Sequence, residues 1–364
     1  MIYLDYQATT PLAPEALEAM LPWLGGPETA GFGNPHSAHR MGRQAAATVG
    51  VAREQVAALL PPGGRVVFTS GATEALNMAL RGTTGDVLTF AAEHAAVLDC
   101  ARPLREEGRN FDILPVDGGG QADLDALSAA INRDTGLVAA MLVNNEIGAI
   151  NPLADIAALV HAQDGLVLCD AVQGYGRIAI PEGADFIAIS AHKIHGPKGI
   201  GALWIRDGIG LDPLIFGGGQ EQGLRSGTLS PALCAGFGAA AALAAERMEE
   251  DAAHVAALWS RARELFRGWE LNGSAEARWK GNFNIRKQGL DVARLMSDVR
   301  EVMFSAGSAC ASGSGRPSHV LRAIGLSEAE AKSSIRLGFG RYTTQEQLEQ
   351  AAEAIAAAAS EQGI

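Results

Sequence analysis

The stretch Phe186-Ile-Ala-Ile-Ser190-Ala-His-Lys193-Ile-His-Gly-Pro-Lys-Gly199 sets an apolar run against basic and small residues, and a second apolar run, Ala202-Leu-Trp-Ile, follows. A short apolar run bounded by Gly and Pro reads as a buried strand, with the polar residues forming the turn at its carboxyl end. An amine placed there is open to desolvation, which lowers its pKa and frees a neutral amine to form a Schiff base. Lys193 is therefore the first candidate for catalysis, against the alternative of a solvated loop lysine between two histidines.

Outward from this stretch, residues 40 to 206 alternate strand-like apolar runs with longer Ala- and Leu-rich segments of helical period. That is the pattern of an α/β domain with a mostly parallel sheet. Strands are predicted near 66–68, 86–90, 137–143, 166–169, 186–189 and 202–205. Polar residues follow the runs: Thr69-Ser-Gly-Ala-Thr-Glu, Glu93-His94, Asn144-Asn-Glu, Asp170, and Ser190-Ala-His-Lys. In open parallel sheets ligands bind beyond the carboxyl ends of the strands, so these residues can converge on one crevice.

Each has a plain structural alternative. Asp170 is either a helix cap or the partner of a buried cation. Asn144 and Asn145 are candidates for satisfying backbone groups at a turn, and His94 for a hydrogen-bonded rim histidine. Ser70-Gly-Ala-Thr-Glu reads as a small-residue turn entering a helix, whose first amides form an anion site. It lacks G-x-x-x-x-G-K-[ST] and so is not a nucleotide P-loop. In Phe216-Gly-Gly-Gly-Gln-Glu-Gln-Gly-Leu-Arg-Ser-Gly-Thr228, the side chains of Arg225, Ser226 and Thr228 offer further phosphate donors.

Residues 231 to about 269 read as helical, followed by a helix from about Asp291 and a short strand near 302–304. The segment Ser305-Ala-Gly-Ser-Ala-Cys310-Ala-Ser-Gly-Ser-Gly-Arg-Pro-Ser is nearly all small residues and carries one thiol, as an exposed loop would. Cys169 falls in a strand and Cys100 and Cys234 in predicted helices, where cysteine is a small buried hydrophobe. Cys310 is thus the one placed to react, against an inert loop thiol. Ser334-Ile-Arg336-Leu-Gly-Phe-Gly-Arg341 puts arginines on a strand, with Arg336 able to grip a carboxylate. Thr343-Thr-Gln-Glu346 reads as a capping box opening a last helix that runs from Glu346 to about Ser360.

Composition limits the class. The 364 residues, 48% hydrophobic and 19% charged, describe a buried globular chain of two domains or lobes. A net charge of -12 excludes non-specific attraction to nucleic acid or an anionic membrane. Leu233 to Ala245, the most apolar tract, is too short for a membrane span, and Met1-Ile-Tyr-Leu-Asp-Tyr shows no signal peptide. Four separated cysteines without a C-x-x-C pair argue against a zinc site or disulfide framework, so no metal is expected and a reducing cytoplasm fits.

The set Tyr3-Leu-Asp-Tyr-Gln-Ala-Thr-Thr-Pro, Gly33-Asn-Pro-His-Ser-Ala-His, Ser70-Gly-Ala-Thr-Glu, Asn144-Asn-Glu-Ile-Gly, Asp170-Ala-Val-Gln, Ser190-Ala-His-Lys-Ile-His-Gly-Pro-Lys-Gly, Arg225-Ser-Gly-Thr and Gly307-Ser-Ala-Cys-Ala-Ser resembles the cysteine desulfurases. Those are pyridoxal-phosphate enzymes of the aspartate-aminotransferase-like fold type I. The resemblance runs in order from Tyr3 to about Thr344, and eight motifs in sequence are highly specific.

It implies an α/β fold with a large cofactor-binding domain over residues 14–250. A smaller α+β domain would comprise 1–13 and 251–364 and carry the cysteine loop, about 305–317. Lys193 would be the Schiff-base lysine, His94 would lie over the cofactor ring and move protons, and Asp170 would pair with the pyridinium nitrogen. Asn145 and Gln173 would bond the ring hydroxyl; Ala72 would line the cofactor site, and Thr73, Ser190 and His192 would hold the phosphate. Thr228 would reach the phosphate of a neighbouring subunit, implying a homodimer. Arg336, with Asn34 as helper, would bind the carboxylate of L-cysteine, and Cys310 would take its sulfur as a persulfide, leaving alanine.

The spacing from Cys310 to Pro317-Ser-His-Val-Leu resembles the branch serving iron-sulfur assembly, nitrogenase maturation and tRNA thiolation. Members of the iron-sulfur assembly type continue past the last helix with a scaffold-binding tail, whereas the last residues here are Gly363-Ile364. The sulfur acceptor protein is thus left open by the sequence. The alternatives are a selenocysteine lyase, another fold type I enzyme such as an aminotransferase, and a non-enzymatic sulfur-relay scaffold. Cys310 argues against the aminotransferase, and Lys193, Asp170, His94 and Cys310 together argue against the scaffold.

Overall fold

In the computed structural model, which describes residues 1–29, 31–307 and 318–364, three sheets account for thirteen strands. β1 (Ile2–Tyr3) leaves the large sheet to seven others: β2 (Gly64–Thr69), β3 (Asp86–Phe90), β4 (Phe111–Leu114), β5 (Thr135–Met141), β6 (Leu166–Asp170), β7 (Phe186–Ser190) and β8 (Gly201–Arg206). Their order is β2-β8-β7-β6-β5-β3-β4. β8 alone runs against its neighbours, pairing antiparallel with both β7 and β2, while the other pairings are parallel. The strands are buried because helices cover both faces; all five residues of β7 are buried, as continuous apolar runs in parallel sheets require.

The second sheet is built from β9 (Glu270–Leu271), β10 (Asn282–Arg286), β12 (Ser305–Ala306) and β13 (Ser334–Gly338), in the order β12-β13-β10-β9. Between them in sequence, β11 (Val302–Met303) pairs in parallel with β1, so the first residues of the chain join elements near its other end. Asp5 bridges to Gly338 in the same direction.

A single helix, Pro231–Leu265, connects the two sheets. Ser230 caps it by accepting from Leu233 N, and Pro231 occupies its first turn, where a missing N–H costs nothing. It runs unbroken through residues 250 and 251, where the sequence reading put a domain boundary. Asp251 on this helix takes two hydrogen bonds from Arg341, at 2.8 and 2.6 Å, tying it to the segment after β13.

Several local expectations need correction. β4 is missed because only Phe111 and Leu114 of its four residues are buried, leaving no alternation to detect. Cys100 is the buried N-cap of the helix Ala101–Glu106, between two short helices. β13 ends at Gly338, so Arg341 lies beyond it. The last capping box is one residue on, Thr344 with Gln347, opening the helix Gln345–Ser360. Thr343 instead turns inward and accepts from Gly340 N. Cys310 lies outside the described residues.

Candidate active site

The carboxyl ends of β2, β3, β5, β6 and β7 open on one cavity of about 680 Å³. Ser70 to Thr73 follow β2, His94 follows β3, Asn145 follows β5, Asp170 ends β6, and Ser190, His192 and Lys193 come from β7 and its turn. Arg336 reaches the cavity from β13 of the second sheet, and Gln7, Ala8 and Thr9 from the amino-terminal arm.

At one end, the helix Ala72–Gly82 begins with Gly71 and no side-chain cap, so its first amides are directed at the cavity's edge. Gly201 is needed nearby: a Cβ there would meet Ile189 O at 2.5 Å and Gly71 Cα at 2.8 Å, both backbone atoms. Ser190 Oγ approaches the same turn, 4.0 Å from where a Cβ on Gly71 would sit. Glu74 does not compete for these amides with an uncompensated charge. It accepts from Ser70 N at 2.7 Å and is held by Arg225 at 2.7 and 3.2 Å.

Deeper in, Asp170 is 6% exposed and accepts from Val172 N at 3.0 Å. Burial pushes its carboxyl above the ordinary aspartate value, against the pull of His94, the Val172 amide and Lys193. Lys193 Nζ donates to Gln7 O at 2.6 Å and Ala8 O at 2.8 Å. Burial, reinforced by Arg177 and Arg336, draws its pKa from 10.5 down to about 7. His94 accepts from Ala96 N at Nδ1, 3.0 Å, capping the helix Ala95–Leu98, which leaves Nε2 as the ring nitrogen that carries a proton. His192 is kept neutral, near 4, by burial and by Lys193 and Lys198.

Arg336 is 1% exposed and bound on several sides: Nη2 donates to Asp5 at 2.6 Å and Ser305 Oγ at 3.2 Å, and Nη1 to Asn145 O at 3.0 Å. Its Nε has no partner among the described residues.

Of the thirteen residues to which the resemblance assigns a site role, ten line this cavity: Ala72, Thr73, His94, Asn145, Asp170, Gln173, Ser190, His192, Lys193 and Arg336. Gln173 also donates to Gln7 O at 2.9 Å and accepts from Arg177. Asn34 and Thr228 are exposed and lie outside the lining, and Cys310 is outside the described residues. Asn144 fulfils its turn alternative, accepting from Glu146 N and Ile147 N. Sequence reasoning assigned nothing to Gln7, Ala8 or Arg177. Arg177 donates to Lys193 O at 2.8 Å and loses basicity on burial, to about 10. Only the Gln7-Ala-Thr motif gave a signal, and its contact with Lys193 spans about half of the chain.

A ring bearing a phosphate, a basic nitrogen and an aldehyde fits these donors. Bare helix amides with Ser190 and His192 suit the phosphate, the buried Asp170 suits a protonated ring nitrogen, and the desolvated amine of Lys193 suits the aldehyde carbon. Fold and site together define a pyridoxal-phosphate enzyme of fold type I. Residues 2–351 match the family described as aminotransferase class-V. A protein named cysteine desulfurase IscS, from Rickettsia akari, is 42% identical over 376 residues, covering 97% of this chain and 90% of that protein. Among solved structures, a NifS-like protein superposes with a TM-score of 0.91 at 32% identity over 99% of both chains. DndA from Streptomyces lividans does so with a TM-score of 0.79 at 32% identity, over 92% of this chain and 98% of that one. The chain belongs to the class-V aminotransferase family. Among the described residues, no helix is long and apolar enough to cross a membrane, and no group of three His, Cys, Asp or Glu is placed to hold a metal.

Proposed function

We infer that the protein is a cysteine desulfurase, converting L-cysteine to L-alanine with transfer of the sulfur to Cys310. The observation that carries this reading is the Lys193 amine, drawn down to about 7, in one cavity with the buried Asp170 and with Arg336. Relatives named cysteine desulfurase support it at 42% identity. Bound pyridoxal phosphate supplies the electron sink that makes a carbanion at Cα accessible.

The chain's own residues do the rest. Lys193 would hold the cofactor through its desolvated amine, and the same amine, once free, is placed to take the Cα proton. Asp170 holds the proton on the ring nitrogen, His94 carries protons at Nε2, and Asn145 and Gln173 address the ring hydroxyl. Ala72 lines the cofactor site; Thr73, Ser190 and His192 bind the phosphate. Arg336, aided by Asn34, takes the substrate carboxylate. The Cys310 thiolate forms an S–S bond to the substrate sulfur as the Cβ–S bond breaks. The electron pair stays on Cβ, which takes up a proton and becomes the methyl group of alanine.

The active unit is a homodimer with Thr228 reaching the partner's phosphate site. Its exposure supports this, as does Phe216, 81% exposed on the same glycine-rich loop. Sulfur passes to an acceptor protein of iron-sulfur assembly or tRNA thiolation, in the cytoplasm. Residues 14–250 form the cofactor domain, and 1–13 with 251–364 the smaller one, sharing the helix Pro231–Leu265.

The test is incubation of purified protein with L-cysteine and dithiothreitol, following sulfide and alanine together. Equal release, absent in Lys193→Ala and Cys310→Ala, is the expected result. A wild-type protein that binds the yellow cofactor yet releases neither product overturns the reading.

A further inference from the structure

Beside the cavity lies a knot of buried polar groups that the chemistry above does not use. Glu146, Asn284 and Ser318 are 2%, 0% and 2% exposed. Ser318 Oγ donates to Glu146 Oε2 at 2.5 Å and accepts from Leu321 N at 3.0 Å. Asn284 Nδ2 donates to the Glu146 carbonyl at 2.9 Å and to the Gly307 carbonyl at 3.4 Å. Gly307 N in turn donates to Ser334 O at 2.7 Å. A Cβ at Gly307 would meet Ser334 Cβ at 2.7 Å and Leu321 Cδ1 at 3.0 Å, so the backbone is pressed against its neighbours.

The knot joins two places. On one side are Gly307 and Ser318, which flank residues 308–317 in the sequence. On the other are the turns that build the site: Asn145, next to Glu146, accepts from Arg336, and His319 Nε2 donates to the Glu93 carbonyl at 2.8 Å, one residue before His94. Val320, Leu321 and Ile324 pack with Ala92 and Ile147 beneath these turns. A buried carboxylate is costly to retain where an amide would fill the space, so a Glu here calls for a role. Ser318 supplies a hydrogen bond, and His319 and Arg336 an opposite charge, that offset part of that cost.

We propose that Glu146, acting through Ser318, is a positioning residue for sulfur transfer: it fixes where the segment bearing Cys310 joins the fold. Asn284 does the same at Gly307. The proposal rests on the desulfurase reading and deepens it. In the step concerned, the Cys310 sulfur is oxidised to a persulfide while the substrate's Cβ is reduced to a methyl group. Dithiothreitol in the assay reduces the persulfide to sulfide and restores the thiol.

The experiment compares two reactions of the holoenzyme in wild type, Glu146→Gln, Ser318→Ala and Ser318→Thr. One is sulfide release from L-cysteine with dithiothreitol. The other is exchange of the α-proton of L-alanine in heavy water, which draws on Lys193, Asp170 and His94 but involves no sulfur. Misplacing a reacting group by about an ångström costs up to about a hundredfold. Glu146→Gln and Ser318→Ala are therefore expected to lower kcat for sulfide by about ten- to a hundredfold, with KM and alanine exchange within about twofold of wild type. Ser318→Thr, which keeps the hydroxyl, should recover most of the rate.

Parallel loss of exchange and sulfide release would overturn the proposal, because the knot would then serve the cofactor site or the fold as a whole. Unchanged sulfide release in both variants would overturn it too. A wild type that exchanges the alanine proton but releases no sulfide would instead remove the desulfurase reading, and this proposal with it.

Discussion

Glu221 and Asp170 are both buried carboxylates at the large sheet, and they are treated in opposite ways. Glu221, 9% exposed, takes two hydrogen bonds from Arg53, at 2.6 and 2.7 Å, and a third from Phe68 N at 2.8 Å. It holds these in a left-handed backbone conformation, φ 50°, that a non-glycine residue adopts only when its surroundings enforce it. Asp170, 6% exposed, has one backbone donor and faces the cavity, and burial raises its carboxyl. A saturated carboxylate serves the fold; one kept short of partners stores a driving force for binding a cation.

The largest effect that tests this contrast is Asp170→Asn. It should lower sulfide release by about 10²- to 10⁴-fold without destabilising the cofactor-free protein. Because the folded carboxyl is raised, its favourable contribution is present at low pH and is lost as pH rises through the raised value. The variant should lose that part of the pH dependence of thermal unfolding. Glu221→Gln should do the reverse. It leaves a partly buried Arg53 without its full partner, costing about 2 kcal/mol after allowance for the solvent at Arg53, while activity per folded molecule is kept. If both variants lost only stability, the contrast would collapse.

A finer test concerns Lys193. In the cofactor-free protein, reaction of its amine with an aldehyde probe should follow a midpoint near 7, rising with pH. Arg177→Met removes one neighbouring positive charge and should move that midpoint upward, by less than burial moves it down. An unchanged midpoint would leave burial and Arg336 as the causes of the lowering. The smallest expected effect lies away from both carboxylates. Thr344→Ala removes the cap of the helix Gln345–Ser360 and should cost about 1 kcal/mol by denaturant unfolding, with sulfide release unaffected.

Much of this was legible because apolar runs that end in polar residues carry their own geometry. The runs ending at Asp170 and Ser190 announce a parallel sheet and the edge at which a ligand sits. What stayed hidden depends on contacts that no local pattern encodes. The motif around Gln7 marks the arm but not that its carbonyl will receive the Lys193 amine, and nothing around Arg177 announces that its charge will bear on that amine. Asn144 and Asn145 look alike in sequence, yet one holds a turn and the other lines the cavity. Glu146 stands inside the Asn144-Asn-Glu-Ile-Gly motif, but nothing there points to its partner Ser318, which comes from a distant helix start. The capping box was misread by one residue because two threonines stand side by side, and only burial of Thr343, 2% exposed, separates them.

The pairing of Ile2–Tyr3 with Val302–Met303 has a consequence for the order of events during synthesis. The arm whose carbonyls receive Lys193 is translated long before the strand it joins. Contacts this distant along the chain form late. The nascent protein therefore has a large sheet before it has a finished pocket, and cofactor uptake should mark the closing moment of folding, so that appearance of the cofactor's colour would time the arrival of the amino terminus.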